Sequence, residues 1–120
     1  MQLDYLLFDT SDEEGGACSF DAMASVLPAR LAPLLGEVGA VLGWAHREFG
    51  PPSAATDDGD WTFELQAAGE GGVPLAIDID LEGARVSMAH VPQGLVTLAL
   101  TLGGTRAFGD AFRDAFPESD

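Results

Sequence analysis

The residues able to do chemistry fall into a few small groups, and the most numerous are carboxylates. Asp9, Asp12, Glu13, Glu14 and Asp21 surround Gly15 and Gly16. Counting from Thr10, Asp12 takes the third position of a calcium loop, Glu14 the fifth, Gly15 the sixth and Asp21 the twelfth. That partly follows the EF-hand spacing. The first ligand is Thr where Asp is standard, the last is Asp where a bidentate Glu is standard, and no helix enters the loop. A solvated hairpin turn accounts for the same residues. A second acidic group consists of Asp78 and Asp80, two apart on an alternating stretch, with Glu64 expected on the adjacent strand and the same side. Like charges so placed make a negative sheet face. Paired carboxylates can serve acid–base chemistry or hold Mg²⁺. A solvated face with Arg85 beside it is the simpler reading.

Nucleophiles and metal ligands are sparse. There is one cysteine, Cys18, and there are two histidines, His46 and His90. No G-x-S-x-G elbow, H-E-x-x-H or C-x-x-C occurs. Cys18 falls on the apolar side of its stretch, where a thiol is normally inert. Gly103-Gly104-Thr105-Arg106 could cradle an anion, but it lacks Walker spacing and Lys. Thr105 as a helix N-cap explains it better. We therefore assign no catalytic residue, cofactor or metal site from the sequence, and no motif is specific enough to carry an activity over by resemblance.

A different feature points to binding. Gly36, Ala40 and Gly43 line the outer side of a predicted helix, with Trp44 at the border. Small residues at this spacing let another backbone approach closely, and a large aromatic beside a flat groove is a common anchor. The groove could take a partner or a second copy of the chain, or the second helix could fill it through Ala107 and Ala111.

The elements that must position these groups are legible from periodicity. Gln2 to Asp9 reads as a strand, apolar on both faces and hence interior to a sheet, with a loop from Ser11 to Gly16. Cys18, Phe20, Ala22, Ala24 and Val26 alternate with Ser19, Asp21, Met23 and Ser25, predicting a second strand in a hairpin with the first. From Arg30 to Phe49 the period becomes 3.6, with Leu31, Leu34, Leu35, Val38, Val41, Leu42, Ala45 and Phe49 on one face; Gly50-Pro51-Pro52 stops it. Ser53 to Asp60 is a polar linker. Strands follow over Trp61–Ala67, Val73–Leu81, Val86–Met88 and Val96–Leu102, joined by short turns that predict a meander. A helix with Phe108, Phe112 and Phe116 at i, i+4 and i+8 runs up to Pro117. The expected fold is α+β, in the order β-β-α-β-β-β-β-α. An antiparallel sheet carries both helices on one apolar face and buries Val38, Leu42, Ile77, Ile79, Leu98, Leu100, Phe108 and Phe112.

Composition bounds the function. The chain has 120 residues, a size expected for one domain spanning residues 1–120, and 47% of them are hydrophobic, which argues against disorder. With 20 acids against 5 bases the net charge is −15, which repels phosphate backbones and anionic lipid. Nucleic acid and membranes are not expected partners; a basic protein is. All five bases are Arg, and Lys and Asn are absent, the bias of a GC-rich, bacterial-type coding genome. Without a cysteine pair, a secretory pattern or an apolar run of about 18 residues, the expected location is the cytoplasm. The leading expectation is a non-catalytic protein-binding module, immunity- or antitoxin-like or an accessory chaperone. The alternatives are a small metal-dependent hydrolase using Asp78, Asp80 and Glu64, and an apolar-ligand-binding domain. For the Thr10–Asp21 stretch, calcium calorimetry should detect no micromolar site. A micromolar site that Asp12→Ala abolishes would contradict this.

Overall fold

A computed structural model describes residue 3 and residues 5–12, 16–52 and 61–116. The predicted linker at 53–60, the tip of the acidic loop at 13–15 and the end of the chain from Pro117 lie outside the described residues. The fold is α+β, with helices Leu31–Phe49 (α1) and Arg106–Ala115 (α2). The strands are Asp9–Asp12 (β1), Cys18–Val26 (β2), Trp61–Ala68 (β3), Pro74–Leu75 (β4), Asp78–Asp80 (β5), Arg85–Ser87 (β6) and Val96–Gly104 (β7). Strands β1 to β4 and β7 form a sheet in the order β1-β2-β7-β3-β4, and β5 and β6 form a separate ribbon.

The sheet is antiparallel throughout, but it is not a meander. Strand β7 enters between β2 and β3, with Phe20 opposite Leu102 on one side and Phe63 opposite Leu102 on the other. Its composition explains the central place. Val96, Leu98, Leu100 and Leu102 are fully buried and point to the helices. Thr97, Ala99, Thr101 and Gly103 are small enough for a second face without a core beneath it. Local turns favour neighbours in sequence, whereas burial favours the most apolar strand at the centre, and burial prevails here.

The first strand also differs from expectation. Leu3 and Tyr5–Phe8 do not join the sheet; β1 begins only at Asp9 and is an exposed edge strand. Leu3, Tyr5, Leu6 and Phe8 instead pack against the core cluster, and Leu7 is exposed. Leu6 is buried, and Phe8 meets Phe112 edge-on at 5.1 Å. Glu37 of α1 supplies acceptors where a sheet would have: its carboxylate accepts from the Tyr5 and Leu6 amides at 2.9 and 3.0 Å.

The run Val73–Leu81 breaks into β4, paired with β3, and β5, paired with β6. Alternation alone cannot place such a break. The consequence is that Ile79, expected in the core, is 39% exposed, and Ile77 is only half-buried. The other six residues predicted for the core are buried. Both helices pack on the apolar sheet face, their inward residues joining one cluster with β2 and β7. Thr105 caps α2 by accepting from the Phe108 amide at 3.2 Å. Leu98→Ala, at a fully buried site, should cost about 2–5 kcal/mol in urea unfolding. A loss below about 1 kcal/mol would contradict its central placement.

Candidate functional site

Helix α1 has two differently built sides. Leu34, Val38, Val41, Leu42 and Ala45 turn to the sheet and are fully buried. Gly39 and Gly43 turn the other way and are also buried, beneath the β5–β6 ribbon. A Cβ added at Gly39 would lie 2.5 Å from the Ala84 carbonyl oxygen, and one added at Gly43 would meet the Ala84 methyl and lie 3.0 Å from its Cα. These glycines are therefore the seat of the ribbon's turn. Ala84 sits in that turn at φ 53°, a left-handed conformation that side chains disfavour. The turn is held by the Ala84 amide donating to Leu81 O and the Gly83 amide donating to the Asp80 carboxylate, both at 3.2 Å.

This assigns the predicted small-residue stripe to two uses. Gly43 is internal packing, not outer surface. Gly36 and Ala40 remain open and form the floor of a cleft of about 440 Å³, with Ala84 along one side and Ala115 and Phe116 of the α2 end along another. Trp44 and Arg47 complete the lining. The second helix thus bounds the groove and does not fill it: Ala107 is exposed, and Ala111 does not line the cleft. From Gly36 to Arg47 the floor runs about 16 Å along the helix axis.

Trp44 is half-buried and is fixed from behind by aromatic rings. Phe116 lies 5.4 Å away edge-on, Phe108 5.9 Å, and Phe112 and Phe49 6.0 Å each. Phe108 in turn stacks on Trp61 at 5.9 Å, and the Trp61 indole N–H donates to Gly50 O at 2.9 Å. The cleft wall is therefore continuous with the core and preorganised. Arg47 is exposed at the cleft and makes no ion pair among the described residues.

The carboxylates do not converge. Glu64 is on β3 of the large sheet, while Asp78 and Asp80 are on β5 of the ribbon, so they are not on neighbouring strands. Glu64 accepts from Gln66 at 2.9 Å, and all three acids are exposed. The expected single negative face is thus divided between two sheets, with Arg85 opposite Asp80 across the ribbon. Among the described residues no group of three or more His, Cys, Asp or Glu could hold a metal ion.

The would-be calcium loop is a hairpin. Asp9 to Asp12 pair with Asp21 to Cys18, and Asp21 accepts from the Thr101 hydroxyl at 2.8 Å. Asp12 bonds Arg113 at 2.7 Å, and that guanidinium holds the Asp12 carboxyl below its ordinary value. Its stabilising contribution is present above the usual carboxylate range and is lost as pH falls through the lowered value. Burial pushes the Cys18 thiol up, which keeps it protonated and a poor nucleophile. His46 is half-buried and His90 exposed.

The chain is thus an α+β protein that carries, among the described residues, an apolar cleft along one helix. Comparison with protein-family models, curated proteins and solved structures finds no match. Sequence reasoning found Gly36, Ala40 and Trp44 but missed Arg47, Ala84, Ala115 and Phe116. Phe116 was visible as the last member of the phenylalanine series, whereas Ala84 carries no sequence signal. The glycines give a paired prediction. Gly43→Ala should destabilise by about 1–3 kcal/mol through collision with Ala84. Gly36→Ala, with nothing within 4 Å of the added methyl, should stabilise by up to about 1 kcal/mol. Thermal melts of both variants measure this, and equal effects would refute the assignment of Gly43 to the ribbon contact.

Proposed function

We propose that this chain is a non-catalytic protein-binding module that takes an apolar segment of a basic partner in the cleft along α1. The observation that carries the reading is the cleft itself: a floor of Gly36 and Ala40 beside two anchored aromatic rings, Trp44 and Phe116. A groove of this kind along a helix suits an amphipathic segment laid into it. Rigid aromatic walls reduce the ordering cost of binding. The left-handed Ala84 at the cleft's edge adds support, because strained backbone concentrates at functional sites.

The net charge of −15 supports a basic partner, steered by exposed acids that include Glu64, Asp78 and Asp80. Nucleic acid and anionic membranes fit that charge poorly, and no helix among the described residues is long and apolar enough to cross a membrane. An immunity-like inhibitor, an antitoxin or an accessory chaperone of the bacterial cytoplasm would all use such a module. The hydrolase reading loses its support because Asp78 and Asp80 stand apart from Glu64. An enclosed apolar-ligand site is less well supported by a cleft that is open along a helix. A homodimer through the same face would bring two chains of charge −15 together, and Coulomb repulsion opposes it.

Ala40→Arg tests the reading with less risk to the fold than removing Trp44, which supports several core rings. The tagged native chain should recover a basic protein from its host, and Ala40→Arg should lose it while keeping the native melting temperature. Association should slow as salt rises, and Asp78→Arg with Asp80→Arg should slow it further. A partner retained by Ala40→Arg, or recovery of the chain's own copies alone, would refute the reading.

A further inference from the structure

Strand β2 is longer than the strand beside it. Only Cys18 to Asp21 pair with β1, whereas β7 pairs with β2 along its whole length. Among the described residues no strand covers the outer edge of β2 from Ala22 to Val26. Its backbone groups on that side form an open template for another strand.

A segment that fits this edge immediately precedes β1. Leu3 and Tyr5–Phe8 are leucine- and aromatic-rich, the composition of a strand, yet they run as a strap over the helices. The β1–β2 register runs Asp9 to Asp21, Thr10 to Phe20 and onward. Continued the other way, it would set Phe8 against Ala22, Leu7 against Met23 and Leu6 against Ala24. Leu7 is 72% exposed and Met23 69% exposed, and this register would place the two side by side.

The faces also match. Phe20, Ala22 and Val26 of β2 point to the core, so Phe8 and Leu6 opposite Ala22 and Ala24 would keep their inward direction. Both are already inward-packed in the strap: Leu6 is 2% exposed and Phe8 rests on Phe112. Passing from strap to strand would therefore exchange backbone partners without turning these apolar side chains out. The strap's backbone is held by the Glu37 carboxylate, which accepts from Tyr5 at 2.9 and 3.1 Å and from Leu6 at 3.0 Å.

We infer that residues 5–8 form a two-position strap, latched to α1 by Glu37 in one position and zipped onto the open edge of β2, in continuation of β1, in the other. The latch is next to the cleft. Glu37 continues the helical row of Ala40 and Trp44 at i+3 and i+7, so release of the strap frees the helix surface bordering the cleft and closes the sheet edge together. The inference stands without the protein-binding reading, since it concerns the chain alone.

Cysteine trapping tests it. In a Cys18→Ala background, Leu7→Cys with Met23→Cys should form a disulfide under glutathione disulfide. It should form at least about tenfold faster than the off-register pair Leu7→Cys with Ser25→Cys, whose Cα atoms in the zipped state lie beyond bridging range. Adding Glu37→Ala should accelerate the in-register pair several-fold. In the chain without introduced cysteines, Glu37→Ala should also slow amide exchange across Ala22–Val26. Equal rates for the two pairs, no disulfide at Leu7 and Met23, or no change in trapping and exchange on loss of Glu37 would overturn the inference. The pair comparison keeps Glu37 and so decides the matter even if Glu37→Ala weakens the fold.

Discussion

The structure depends on one strand being apolar on one face and small on the other. Strand β7 joins the two halves of the sheet, taking β2 along one edge and β3 along the other, and its four inward residues are fully buried. Without it β1–β2 and β3–β4 would be separate hairpins, each marginal in water. The inward residues of both helices join one core cluster with the apolar face that this strand completes, Phe108 among them. Its partner β2 lies some seventy residues earlier in the chain, as in the pairing of Ala24 with Leu98. Such non-local pairing carries a loop-closure cost in entropy that the contacts of the sheet must offset.

Helix α1 is the second organising element, because it is used on both sides. Its leucine and valine side fills the core, and its glycines admit the turn of the ribbon at a distance that any side chain would forbid. Glycine inside a helix costs up to about 1 kcal/mol relative to alanine. At Gly39 and Gly43 the backbone contact with Ala84 offsets that cost. At Gly36 nothing offsets it, since the space above is open. A helix position that is destabilising and unfilled, beside a half-buried Trp, is the least economical feature of the fold, and it is there that we place the partner.

The acidity has a different physical character from the cleft. Asp12, Glu64, Asp78 and Asp80 are exposed and spread over both sheets, and among the described residues the ion pairs gather on one guanidinium, Arg113. Dispersed charge acts at long range and is screened by salt; it selects the sign of a partner and the speed of encounter, not its shape. In the binding mode we propose, shape discrimination falls to Trp44, Phe116 and the floor between them. The two-position strap we infer would add a conformational variable beside both, since its latch shares a helical row with the cleft.

The sequence by itself determined what periodicity can encode. It placed α1 and α2, the strands β2, β3 and β7, the Thr105 cap and the α+β class, because burial on one face writes a period of 2 or 3.6 into the chain. It also marked Gly36, Ala40 and Trp44 as an unusual helix face. It did not determine strand order, because alternation says which side of a strand is buried but not which strand lies beside it. It placed Ile79 in the core and Glu64 beside Asp78 and Asp80, since nothing local shows that the run from Val73 to Leu81 divides between two sheets. It read Gln2 to Asp9 as a strand, because the same apolar residues serve equally against a sheet or against helices; the Glu37 carboxylate, some thirty residues away, accepts from the Tyr5 and Leu6 amides in place of a neighbouring strand. The use of Gly43 and the walls of the cleft were likewise tertiary decisions. An alanine carries no pattern of its own, and only the arrival of Ala84 over Gly39 and Gly43, and not over Gly36, separates packing from cleft.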